Sequence, residues 1–197
     1  MLALCCLLYL VGLGQDMKDG LYLSINDLKN NDPIPPTYLI NELDIRNTDY
    51  LDRVVLLDTI RYYNRTEQER TILPNQVWGY CKNGNPYILF DDQFARIQVI
   101  GSVCHFTTIV EVRSYVSDPF DRMGMGREVI TNQLMSNMID LSTGSADRFN
   151  VVSMSTVLKR DPILWGEFEV LKKREKERKL FWFLTRYNER HVFQFGQ

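Results

Sequence analysis

Through its first three quarters the chain alternates apolar and polar residues, and near residue 153 the alternation gives way to helical spacing. Period two puts every second side chain on one face of a strand, whereas apolar residues three and four apart share one face of a helix. Residues 15–152 therefore read as β-rich and residues 153–191 as helical. "DGLYLS" opens as a short strand. Ser24 and Asp27 then cap a short helix through "INDLKN", and "NDPIPP" ends it, because the residue before a proline avoids helical geometry. "TYLINELDI" and "DRVVLLDTIRYY" carry the β-branched and aromatic enrichment of strands, with "NRTEQER" as a polar loop before "TILPNQVWGYC".

The sharpest local signal is "VWGYCKNGNPYILF". Asn83-Gly84 suits a type I′ turn, whose two central residues both need positive φ. That register sets Tyr80 opposite Tyr87 and Trp78 opposite Leu89 on one face, and leaves Val77, Gly79, Cys81, Ile88 and Phe90 on the other. Both faces are apolar, which predicts cover on two sides. "ARIQVIGSVCHFTTIVEVRSYV" continues as one long strand or two shorter ones, with a bulge or bend at Gly101. "SDPFDRMGMGREV" is a loop. "NQLMSNMIDL" and "ADRFNVV" form a further hairpin around "STGS", with a helix for the Met-rich part as the alternative. "STVLKR" is a short helix, and Asp161-Pro162 caps a second one, expected from Pro162 to about Asn188, before "HVFQF" closes as a strand. The predicted fold class is α+β: a curved antiparallel sheet of hairpins with a short N-terminal helix and a long charged C-terminal helix. One domain over residues 15–197 accommodates it.

Residues 1–14 fit neither rhythm. They contain no charged side chain and are shorter than the roughly 20 apolar residues a membrane-spanning helix needs. Their length is that of a signal-peptide apolar region, and Gly12 and Gly14 supply small residues ahead of cleavage between Gly14 and Gln15. A positively charged segment before the apolar run is missing, which leaves room for a start upstream of Met1. Leu4 is not the small residue expected before a lipidated cysteine, so Cys5-Cys6 does not read as a lipoprotein signal. Export to the periplasm or cell surface is the expectation, with no membrane span after cleavage.

The net charge of −2 creates no whole-molecule field that would gather nucleic acid or anionic lipid. From Ser155 onward, however, ten Lys and Arg face six Asp and Glu. The block "KKREKERK" from Lys172 to Lys179 is interrupted by Glu175 and Glu177, and Glu169–Lys173 and Glu175–Lys179 stand in the favourable order for ion pairs along a helix. A solvated helix face explains it without nucleic acid. Leu164, Phe168 and Leu171 form an apolar stripe ahead of the block, and "LFWFL" resumes after it. Either the helix crosses solvent between two packed ends or the chain bends there. Phe181 and Trp182, with Trp78, Tyr80 and Tyr87 of the hairpin, are the candidate interaction surface.

Candidate chemistry is sparse. Cys81 and Cys104 remain after the leader and could form a disulfide in an oxidising compartment, or serve as two small buried apolar groups. Cys104 and His105 are neighbours on a strand and point to opposite faces, so they cannot exchange a proton. His191 lies just past a helix C-terminus. No spacing suits zinc or another metal, and no cofactor motif, nucleophile elbow or phosphate loop is present. Asp91-Asp92 reads as a turn rather than a glycosidase pair, and Asn64-Arg65-Thr66 matches a glycosylation acceptor. No catalytic residue is assigned.

Three stretches together, "KDGLYLSINDLKNNDP", "VWGYCKNGNPYI" and "DPILWGEFEVLKKREKERKLFWFLTRYNERH", resemble an uncharacterised family of exported Bacteroidetes proteins. Val192 stands where many members have Pro. The resemblance covers most of the chain after the leader and implies a bacterial envelope location, with no activity or catalytic residues to carry over. The function expected is a non-enzymatic envelope or periplasmic module binding another envelope protein or a glycan. The alternative is a hydrolase-type enzyme acting on an extracellular polymer, built on "FDDQ" and the "SDPFDRMGMGRE" loop.

Overall fold

A computed structural model describes residues 17–116 and 127–196. The apolar leader, the Gly14–Gln15 junction, Cys5-Cys6 and the Gly-rich part of "SDPFDRMGMGREV" lie outside the described residues. In chain order the elements are β1 (Gly20–Tyr22), α1 (Ile25–Lys29), β2 (Leu39–Ile40), α2 (Tyr50–Val54), β3 (Ile60–Tyr63), β4 (Glu69–Ile72), β5 (Gly79–Lys82), β6 (Asn85–Phe90), β7 (Gln93–Val99), β8 (Val103–Val116), β9 (Arg127–Asp140) and β10 (Ser145–Arg148). The helices α3 (Val151–Leu158), α4 (Pro162–Glu169), α5 (Lys173–Arg178) and α6 (Leu180–Arg190) follow. Seven strands make a curled antiparallel sheet in the order β1-β5-β6-β7-β8-β9-β10, and β2-β3-β4 make a small second sheet. The α+β class and the curved sheet of hairpins are as the sequence predicts.

Three apolar clusters hold the layers together. Alternate residues of the large sheet, among them Tyr22, Cys81, Ile88, Cys104, Phe106 and Ile139, build the first cluster with Leu28 of α1. The opposite face is divided. Towards β8 and β9, Val103 and Met138 meet Met154, Leu164, Phe168 and Phe183 of the C-terminal helices. Towards β1 and β5, Leu21 and Tyr80 meet Tyr50, Leu51 and Val54 of α2 and Ile60 of β3. Each fully buried Leu or Phe in such a cluster contributes roughly 1.5–3 kcal/mol. This two-sided cover is what the apolar-on-both-faces hairpin requires.

The hairpin forms in the expected register, with Tyr80 opposite Tyr87 and Lys82 opposite Asn85. Asn83 and Gly84 take φ of 51° and 70°, as a type I′ turn demands. Trp78 departs from the expected alternation. The ladder begins at Gly79, whose backbone lies so close to Tyr87 that a Cβ would sit 2.3 Å from the Tyr87 carbonyl oxygen. Ahead of that start Val77 joins Tyr80 in the cluster over α2, and Trp78 packs with Cys81 and Ile88 on the other face.

Other segments also depart from expectation. "TYLINELDI" is strand only at β2, and "DRVVLLDTIRYY" supplies the end of α2 before β3. Tyr50, Leu51 and Val54 are buried three and four residues apart, so tertiary packing selects one helical turn over strand propensity. The long C-terminal helix is three helices. Lys172 is extended at φ −68° and ψ 155°, and Glu175 turns back to accept its N–H at 3.2 Å, which replaces the continuous helix on which a Glu169–Lys173 pair depends. "HVFQF" is not a strand; Phe193 and Phe195 pack into the first cluster, and the Gly196 N–H donates to the Lys29 carbonyl at 2.7 Å.

Candidate functional site

A concave site lies between the N-terminal segment and the small sheet, and a glycine lets its walls approach. Gly20 has φ +146°, and a Cβ there would lie 2.2 Å from the Ile34 carbonyl oxygen. Only glycine lets the 33–34 segment cross so close. The crossing is fixed by two hydrogen bonds, Leu21 N–H to Ile34 C=O at 3.0 Å and the reverse at 2.8 Å. Asp19, one residue earlier, accepts the backbone N–H groups of Asn83 at 2.9 Å and Gly84 at 3.2 Å, tying the same segment to the hairpin turn. Below it the buried Tyr22 hydroxyl donates to the Lys18 carbonyl at 2.8 Å, and burial pushes its pKa up so that it stays a phenol.

The Pro33-Ile34-Pro35 segment and β3 then form two walls of a cleft of about 610 Å³. Tyr38, Tyr62 and Tyr63 line it together with Asp27, Asp32 and Arg65. Tyr62 is nearly buried, whereas Tyr38 and Tyr63 are 45% and 46% exposed. Asp32 and Arg65 form an ion pair between the two walls. Asn64 holds the turn that carries Arg65: its side-chain carbonyl accepts from Thr66 N–H at 3.0 Å, Thr66 Oγ1 at 2.8 Å and Gln68 N–H at 2.9 Å. The glycosylation-like triplet is thus a turn that shapes the cleft. Chemically the lining offers half-exposed tyrosines beside carboxylate acceptors and one guanidinium donor.

The five residues of the expected interaction surface fall in separate places. Tyr80 and Tyr87 stack with centroids 4.6 Å apart and planes within 2°, with Phe94 edge-on at 5.3 Å. The Tyr80 hydroxyl donates to Asp52 at 2.6 Å, and Lys82 pairs with the same carboxylate. A second, smaller cleft of about 500 Å³ runs past Tyr80, Asp52, Asp92 and Phe94. Trp78 faces the opposite core. Phe181 lies 4.7 Å edge-on to His105, and Trp182 carries the Arg186 guanidinium 4.6 Å above its ring. Phe181 and Trp182 belong to the helical layer, and the structure does not join them to the tyrosines.

Asp91 and Asp92 form the turn between β6 and β7 at φ 49° and 59°, as the sequence suggests. Cys81 and Cys104 are separate buried thiols, the second of the two readings, and the possible disulfide between them is not formed. They lie on β5 and β8 with two strands between, and adjacent strands are about 4.8 Å apart, beyond the reach of one S–S bond. Burial pushes both thiols up to about 12. Cys104 and His105 point to opposite faces. Neither ring nitrogen of His105 has a hydrogen-bond partner, and burial lowers its pKa.

Sequence reasoning also missed a clamp at the C-terminal end. Asp161 caps α4 by accepting Ile163 and Leu164 N–H, both at 3.1 Å, and also takes Arg190 Nε at 2.5 Å and His191 Nε2 at 3.0 Å. Arg190 chiefly, with help from Leu164 N–H and His191 against the cost of burial, holds its carboxyl well below the usual range. Tyr187 stacks on His191 at 4.3 Å. Next to it, Asp140 pairs with Arg160 at 2.5 Å. Burial alone would raise the Asp140 pKa, but hydrogen bonds from Ser142 and Arg160 bring it below normal. Each carboxylate is engaged by a cationic partner, Asp161 by Arg190 and Asp140 by Arg160, so the cluster ties α4 and α6 to the end of β9.

No known family model, curated protein or solved structure matches this chain. Among the described residues no three His, Cys, Asp or Glu gather where they could hold a metal ion, and no helix is long and apolar enough to cross a membrane.

Proposed function

We propose that this chain is an exported, non-enzymatic module of the bacterial cell envelope that binds a glycan in the cleft between the Pro33–Pro35 segment and β3. Export rests on the apolar, uncharged residues 1–14, and the envelope setting on the resemblance of the three sequence stretches to exported Bacteroidetes proteins. One observation carries the binding reading: the half-exposed Tyr38 and Tyr63 stand beside Asp27, Asp32 and Arg65 in a single cleft. A pyranose presents a C–H face that stacks on an aromatic ring and hydroxyls that donate to carboxylates. Tyrosines supply such contact area at small entropic cost. The volume falls within the range of small-ligand sites and fits one or two sugar units.

The test is a glycan array probed with the chain from Gln15 onward. Retention of bacterial envelope oligosaccharides supports the reading. Uniform lack of retention, from a chain shown to be folded, removes it.

A further inference from the structure

β8 and β9 pair over fourteen residues each, from Val103–Asp140 to Val116–Arg127, but the rest of the large sheet covers only the base of this hairpin. β7 stops pairing at Phe106, and β10 reaches only Asn137. Beyond Ile109 and Leu134 neither edge of the ribbon pairs with another strand among the described residues, and Ile109, Tyr115, Ile130 and Leu134 are exposed. An open edge carries unpaired backbone groups and is a template for another strand.

The outward groups on β8 can be identified. Ile109 uses both of its own on the Gln93 side chain, its N–H donating to Oε1 at 3.1 Å and its C=O accepting from Nε2 at 2.9 Å. Gln93 lies on the β7 side, so Ile109 faces away from β9. By alternation Glu111, Arg113 and Tyr115 face the same way, while Val110, Val112 and Ser114 bond to β9.

Placed antiparallel against itself about Val112, this edge is self-complementary. Glu111 meets the partner's Arg113, and Arg113, which also lies 3.7 Å from Glu128 of its own hairpin, meets the partner's Glu111. In this phase the residues with outward N–H and C=O groups lie directly opposite each other, the geometry of a hydrogen-bonded pair. The outer edge of β9 lacks the match: Glu128, Ile130, Asn132 and Leu134 include an acid but no base.

We propose that two copies of this chain associate through the β8 edges, forming a four-stranded β9-β8-β8-β9 ribbon about a two-fold axis at Val112. Gln93 sets the length of the ladder by occupying Ile109, so the new backbone bonds are confined to Glu111 and Arg113. The dimer is reversible on that account. Opposite charges directly across strands favour this register, and like charges there oppose it.

Sedimentation velocity on the chain from Gln15 onward, which contains every described residue, tests the proposal over a range of concentrations. The expected result is a concentration-dependent dimer, monomeric in Glu111→Arg and in Arg113→Glu, and restored in the double reversal, which rebuilds both pairs with the charges exchanged. Hydrogen exchange gives a second reading: the amides of Glu111 and Arg113 become protected as dimer forms, while Val112 is protected at every concentration. A wild-type chain that stays monomeric, a dimer indifferent to both single reversals, or a double reversal that does not reassociate overturns it.

Discussion

Asp161 and Arg190 lie 29 residues apart in sequence and 2.5 Å apart in space, and their contact joins the start of α4 to the end of α6. The carboxylate therefore closes the helical layer into a loop while also satisfying two backbone donors of α4. Asn188, two residues before Arg190, bonds the Val103 backbone at both ends, 2.9 Å to N–H and 2.8 Å to C=O, so the same helix end also grips β8.

Replacing Asp161 with Ala removes a helix cap and leaves Arg190 without its anion. The expected loss is that of a helix cap, about 0.5–2 kcal/mol of unfolding free energy, read as a lowered denaturation midpoint. Asn at this position keeps the cap and recovers part of the loss. Equal stability of Ala and wild type would show that the clamp does not hold the layer.

His105 makes stability depend on pH. It is neutral in the fold, between the edges of Phe149 at 5.0 Å and Phe181 at 4.7 Å, and burial lowers its pKa below the ordinary 6.5. The unfolded chain therefore takes up a proton first as pH falls through 6.5, and stability declines from there towards the folded-state value. Thermal melts at pH 7 and pH 5 should separate in the wild type, and the separation should shrink in His105→Phe. An unchanged pH dependence in the variant would assign it to other groups.

The two thiols give a third expectation. Burial holds Cys81 and Cys104 protonated, and because only the thiolate is nucleophilic they are unreactive in the fold. A thiol reagent at pH 8 should label neither in the folded chain and both after denaturation without reductant. Failure to label the denatured chain would mean that the two are bridged.

Much of this scaffold is legible in the sequence because it is local. The Asn83-Gly84 turn, the Asp161 cap and the Ser24 cap each need only residues within a few positions of one another. Features set by distant partners were not legible. α2 is helical because Tyr50 and Leu51 meet Tyr80 and Val77, and Trp78 reverses face because Gly79 must approach Tyr87. The cleft belongs to this second class. Asp27, Tyr38 and Tyr63 come from three segments, and they converge only because Gly20 admits the Ile34 crossing. "DG" and "YY" were visible as residues, but nothing in their spacing announced a shared site.

The most direct measurement is an NMR titration of the chain from Gln15 onward with a bacterial envelope oligosaccharide retained on the array, repeated on the Tyr38→Ala/Tyr63→Ala variant. The account predicts shift changes centred on Asp27, Tyr38, Tyr63 and Asn64, with affinity falling by about tenfold or more in the variant. Shift changes gathered elsewhere, or undiminished affinity without the two rings, would contradict it.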